Sequence, residues 1–203
     1  MEFHYTQLFL LTWIILFWIH HFFSYGKVEA KFERSVSKEY EIKTKWEMFF
    51  GISFILFTLN ILIYFFHYQS RDWFWSFSIL DQHLVNFIAI FLMCFSFLLY
   101  FLFTASVGKT IKKAFNSGEH PKLITDGIYA FIRNPGYFAF YLAAFGCVLI
   151  LHNLVTFLLF IYICTVVYGH TLEEEHKLIK IYGNEYEEYK RSTGRFFPKL
   201  VRK

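Results

Sequence analysis

The chain reads as an all-α, multi-span helical membrane protein with five transmembrane helices and a further helix at the cytoplasmic face. Three observations predict this. Hydrophobic residues make up 56% of the 203 residues, above the roughly 45–50% of soluble domains, and they stand in solid blocks, while the 18% that are charged fall almost wholly between those blocks. Solid runs also exclude a closed membrane barrel, whose strands alternate apolar and polar residues. Basic residues in successive inter-block segments number 6, 1, 5, 0 and 8, with none before the first block. Five spans preserve that alternation and four would break it. The positive-inside rule then places the N-terminus outside and the C-terminus in the cytoplasm. Finally, three prolines and ten glycines leave little room for a turn-rich β fold.

The first span is predicted at about 7–25. It lacks a basic leader and a small-residue cleavage site, so it reads as a retained span. The second is predicted at 48–66 and the third at 84–105, each supplying the ~20 residues needed to cross ~30 Å of hydrocarbon. The block from Tyr137 to Tyr168 is too long for one span, since 32 helical residues reach ~48 Å, and short for two ordinary ones. His152-Asn153 is the polar pair in its middle. A tight hairpin of two short helices, 136–151 and 154–170, follows. Beyond it, Leu172, Leu178, Ile179, Tyr182, Tyr186 and Tyr189 recur at helical spacing to Arg191. Gly183 either interrupts that tail helix or lets another backbone approach, and Gly194 ends it. No repeat or linker divides residues 1–203, which read as one domain.

Cys94, Cys147 and Cys164 lie inside apolar blocks and read as small buried hydrophobes. His20 and His21 read as interfacial rings, and no His or Cys pair has metal-ligand spacing, so no metal is expected. No basic cluster suggests nucleic acid. The oligomeric state is left open.

Polar residues capable of chemistry gather in two segments that flank the hairpin and so share one membrane face: Lys122–Tyr137 and His170–Tyr189. Neither contains a dinucleotide fingerprint or a phosphate loop. Asn134-Pro135 reads as a helix start, with Asn as cap and Pro at the first helical position. It is either an ordinary capped span or, with Gly136 leaving space and Arg133 nearby, a site for a carboxylate or phosphate. In the run Glu173-Glu174-Glu175, Glu173 reads as a solvated position. His170 and Glu174, four residues apart, share a helix face and could hold one end of a polar ligand.

These two segments resemble the isoprenylcysteine carboxyl methyltransferase family, including its prokaryotic members and the related phospholipid N-methyltransferases. Leu123-Ile124-Thr125-Asp126-Gly127-Ile128-Tyr129 and Arg133-Asn134-Pro135-Gly136-Tyr137 match its first motif. Glu174-Glu175, Leu178, Tyr182-Gly183, Tyr186, Tyr189 and Pro198 match its second. The resemblance covers about 106–200. It implies S-adenosyl-L-methionine as cofactor, with contacts from Pro121, Lys122, Leu123, Ile124, Tyr129, Asn134, Pro135, Gly136, Tyr137 and Glu174. It also implies methyl transfer to a lipidic or prenylated acceptor entering from the bilayer, in a bacterial or archaeal plasma membrane or the endoplasmic reticulum.

Three positions depart from the family pattern. Asn134 stands where the family has His, and so does Pro121, with His120 one place earlier. His170 stands where it has an Arg that orients a carboxylate. His170 and Glu174 are thus the candidate catalytic pair. A carboxylate acceptor needs alignment and a dry pocket, whereas a lipid amine needs a base, for which His170 is suited. Two alternatives remain: an NADPH-dependent reductase of the sterol-reductase type, which has a similar C-terminal layout, and a non-catalytic member of the fold.

Overall fold

The computed structural model describes residues 5–25, 45–67, 69, 82–117 and 121–199. His120, Arg71 and five of the six basic residues between the first two spans lie outside them. The described helices are α1 (Tyr5–His20), α2 (Lys45–Phe66), α3 (Gln82–Ser117), α4 (Pro135–Leu151), α5 (Leu154–Tyr182) and α6 (Asn184–Ser192). A π turn, His21–Tyr25, continues α1, and a 3-10 turn, Gly127–Ala130, precedes α4. Four helices are long and apolar enough to span a bilayer, and the 17-residue α4 is shorter. The protein is a multi-pass helical membrane protein, as its apolar blocks require.

Two helices outrun their apolar blocks. The third was expected at 84–105, but α3 continues to Ser117 through Lys109, Lys112 and Lys113. Its 36 residues extend about 54 Å, so its last turns leave the hydrocarbon. Likewise α5 carries the fifth span straight into the charged tail as far as Tyr182. Gly183, with φ of +54°, then breaks the chain into α6, because L side chains rarely adopt that conformation.

The hairpin between α4 and α5 is the predicted two-residue turn. His152 sits in the left-handed region at φ 33°, ψ 41° and closes α4. Asn153 opens α5, its Oδ1 accepting from the Thr156 N–H at 2.8 Å. Small residues let α4 approach its neighbours closely. A Cβ on Gly146 would lie 2.5 Å from Met93 of α3. Opposite, Gly169 of α5 lies under the Trp46 ring of α2, where a Cβ would meet ring carbons at 2.7 Å.

Several polar groups within the bundle are paired, as a medium without water favours. Trp13 Nε1 donates to the Met93 carbonyl at 3.0 Å, and Thr6 pairs with the Tyr64 hydroxyl at 2.8 Å. His20 and His21, expected only as interfacial rings, tie α1 to α3 through Thr104 (2.8 Å) and Tyr100 (2.6 Å). Only Cys147 is buried as expected of all three cysteines. Cys164 is half-buried, and Cys94 is exposed because its side of α3 faces outward with Phe91 and Phe95.

Candidate active site

The site is organised around a buried carboxylate. Glu175 is 3% exposed and Arg133 8%. Arg133 donates to Glu175 Oε1 through Nε (3.3 Å) and Nη2 (3.0 Å), and Asn134 Nδ2 donates to the same oxygen at 3.1 Å. From the C-terminal segment, Arg195 adds Nε to Oε1 at 3.0 Å and Nη2 to Oε2 at 2.8 Å. Arg133 Nη1 donates to the carbonyls of Lys190 and Thr193.

The C-terminal segment is held by its backbone too. Ile132 and Gly194 form a parallel bridge, with Arg133 N donating to the Gly194 carbonyl at 2.8 Å and Asn134 N to that of Arg195 at 3.1 Å. Beyond it, Phe196 packs edge-on against Tyr141 and Phe197 against Phe138, with centroids 5.1 and 5.3 Å apart. Arg195 lies over the Tyr168 ring, 5.4 Å from its centroid, and donates to its hydroxyl at 3.2 Å.

This arrangement changes what the side chains at the Asn134-Pro135 helix start do. Pro135 opens α4 as expected, but the Asn134 side chain makes no capping bond, because Glu175 takes its donor. The Arg133 guanidinium is likewise fully engaged. The gap expected beside Gly136 is filled by Phe103, whose ring carbons lie 3.0 Å from where a Cβ would stand. Glycine there serves helix packing.

Burial alone would raise the Glu175 carboxyl, but the Arg195 hydrogen bonds and the Arg133 charge hold it below its ordinary range. The folded pKa is depressed, so this stabilisation is complete above the unfolded carboxylate's range and is lost as pH falls through the folded value. Acid titration of the detergent-solubilised protein is therefore expected to lower its unfolding midpoint. Glu175→Gln should flatten that dependence; an unchanged slope would assign it to other groups.

A second cluster lies on the adjoining face of α5. The His170 ring, in a residue 7% exposed, stacks on Phe50 of α2 at 5.0 Å and meets Tyr137 of α4 edge-on at 5.5 Å. Its Nε2 is 3.7 Å from Glu174 Oε1. The turn bearing Tyr129 belongs here also: burial, then Tyr189, then the negative charge of Glu174 push the Tyr129 hydroxyl upward. So Tyr137, His170 and Glu174, drawn from both polar segments, stand together, and the Tyr129 turn is tied to α6, its carbonyl accepting from the Tyr189 hydroxyl at 2.7 Å. Glu173 was read as solvated, yet its Oε2 is buried without a partner, as is His170 Nδ1.

The other candidates hold different places. Pro121 is buried, its carbonyl accepting from the Tyr182 hydroxyl at 2.9 Å, which anchors the loop to α5. Lys122 is exposed, while Leu123 and Ile124 are half-buried. Sequence reasoning missed Phe50, Arg195 and the role of Glu175. The usable signal was the helical step: Thr171 and Glu175, four apart, are both buried, and a carboxylate on a buried stripe requires a cation.

Comparison with known proteins gives this geometry a family. The chain is 35% identical over 77 residues to a protein-S-isoprenylcysteine O-methyltransferase of Schizosaccharomyces pombe, covering 37% of this chain and 33% of that protein. It is 32% identical over 72 residues to protein-S-isoprenylcysteine O-methyltransferase B of Arabidopsis thaliana, covering 35% and 36% respectively. The similarity thus spans about a third of each relative. The profile described as phospholipid methyltransferase matches residues 82–185, just over half of the chain. That stretch carries α3, the Lys122–Tyr137 segment, most of the His170–Tyr189 segment and the residues Tyr129, Tyr137, His170 and Glu174, and the chain belongs to the phospholipid methyltransferase family.

Proposed function

We propose that the protein is an S-adenosylmethionine-dependent methyltransferase that modifies a membrane-embedded acceptor, with Tyr129, Tyr137, His170 and Glu174 at its centre. The carrying observation is that His170 joins the loop segment to the tail segment, touching Tyr137 on one side and Glu174 on the other. The site is proposed to face the cytoplasm, where most basic residues lie.

The residues present suit such a cofactor. Tyr129 and Tyr137 offer aromatic faces to a sulfonium cation, and Glu174 offers a carboxylate to an ammonium or ribose. N–H groups in the first turn of a helix lack intrahelical acceptors, so the start of α4 at Pro135-Gly136 suits a carboxylate through its backbone. The loop from Pro121 to Ile124, anchored by Tyr182, would close over one side, and Asn134 would act by fixing the turn. When bound, the cofactor supplies an electrophilic methyl group. The chain aligns the acceptor and keeps water out, with Phe50 and Tyr137 forming an apolar wall. The relatives' names indicate isoprenylcysteine carboxylates as acceptors and the family's description indicates phospholipids; both reach the site from the bilayer.

The test is methyl transfer from labelled cofactor to a panel of prenylcysteines and aminophospholipids, with thermal shift in detergent alongside. S-Adenosylhomocysteine should stabilise the protein and NADPH should not. Glu174→Gln should weaken S-adenosylhomocysteine binding about tenfold, equivalent to ~1.4 kcal/mol. Stabilisation by NADPH alone would favour a reductase, and undiminished turnover in Glu174→Gln would remove that residue from the site.

A further inference from the structure

Resting on the reading that Glu174 serves the cofactor, we infer that Glu47 is a positioning residue, which holds Lys177 off the acidic face of α5 and so keeps Glu173 and Glu174 open to a ligand. Lys177 is the lysine of α5 within one turn of both, four residues after Glu173 and three after Glu174. Side chains at those spacings are neighbours on a helix surface, and glutamate four places before lysine is the favoured order of an ion pair. Left to its own helix, Lys177 would pair with one of the two. Instead its Nζ donates to Glu47 Oε1 of α2 at 2.7 Å. Glu173 Oε2 is left buried with no hydrogen-bond partner among the described residues, and Glu174 Oε1 lies 3.7 Å from His170 Nε2.

The start of α2 is placed to deliver that carboxylate. Glu47 stands in its first turn, where unpaired N–H groups and the helix dipole favour negative charge. Flanking it, Trp46 lies over Gly169 and Phe50 stacks on the His170 ring at 5.0 Å, so this turn is laid against α5 beside the site. None of it falls within residues 82–185, which match the family. The acidic face belongs to the matched stretch, and the group that keeps Lys177 from it comes from outside.

The effect is on affinity rather than on stability. Both side chains of the Glu47–Lys177 pair are about one-third exposed, and such pairs add little to folding. What the pair decides is which carboxylate the lysine charge meets. Released toward Glu174, the Lys177 ammonium would compete with a ligand for that carboxylate.

A cycle of charge deletions reads the inference. For protein in detergent micelles, calorimetry gives the affinity for S-adenosylhomocysteine, and the ligand-free unfolding midpoint is measured beside it. Glu47→Gln should weaken binding about fivefold, the upper reach of an exposed ion pair, with a midpoint near that of the wild type. Lys177→Met should bind as the wild type does. Adding Lys177→Met to Glu47→Gln should restore wild-type affinity, because the competing ammonium is gone. With labelled methyl donor, the Glu47→Gln loss should fall on KM for the donor and leave kcat unchanged. Wild-type affinity in Glu47→Gln, a Glu47→Gln protein that loses its fold, equal losses in the two single variants, or a double variant no better than Glu47→Gln overturns the inference. Each of these leaves the methyltransferase reading intact. A wild type that binds no S-adenosylhomocysteine overturns both.

Discussion

Replacing Glu175 with alanine is expected to cost about 3–5 kcal/mol of stability, as breaking buried ion pairs does, and to lower the unfolding midpoint in detergent by on the order of 10 °C. Among the described residues, Glu175 is the carboxylate on which Arg133 and Arg195 converge. Its removal strands the buried Arg133 guanidinium and frees the Asn134 donor together. Because Arg133 and Asn134 immediately precede α4, the same change should misplace Tyr137 and lower turnover. Glu174→Gln, one position away, should leave the midpoint near that of the wild type, since Glu174 makes no comparable set of bonds. Equal stability losses in the two variants would contradict the division between a structural Glu175 and a functional Glu174.

Gly194→Ala should detach the C-terminal segment. A Cβ there would lie 1.7 Å from the Phe197 carbonyl oxygen and 2.9 Å from its carbon. Both are backbone atoms, so no side-chain rotation gives relief. The segment must leave its pairing with Arg133 and Asn134, carrying away the Arg195 bonds to Glu175 and the Phe196 and Phe197 contacts. The loss is expected to be about 2–3 kcal/mol, the upper part of the usual range for point mutations. Limited proteolysis near Arg195 should accelerate well before global unfolding, while α1–α3 keep their protection. A variant as resistant as the wild type would show that the segment tolerates another path.

The five spans and the hairpin turn were legible because solid apolar blocks and the His152-Asn153 interruption are local signals. The joining of Tyr137 to His170 and Glu174 was legible from motif order on either side of that hairpin. What was not legible shares a physical cause. Adjacent helix positions differ by about 100°, so which of Glu173, Glu174 and Glu175 faces inward depends on neighbours that no local pattern names. The pairing of Ile132–Asn134 with Gly194-Arg195 is too short to show strand alternation, and it joins partners about 60 residues apart. Asn134 was misjudged for the same reason: as a helix cap it is a local device, but a carboxylate 41 residues away claims its side chain.

The brevity of the α4–α5 hairpin bears on where catalysis happens relative to the lipid. Seventeen residues of α4 extend about 25 Å, short of a ~30 Å hydrocarbon slab, and the turn joining α4 to α5 holds two residues. A bilayer meeting so short a helix must thin around it or let its ends sink. Either way, the α4 start bearing Tyr137 is drawn toward headgroup depth, so a lipid in the adjoining leaflet can present its polar end while its chains stay among their neighbours.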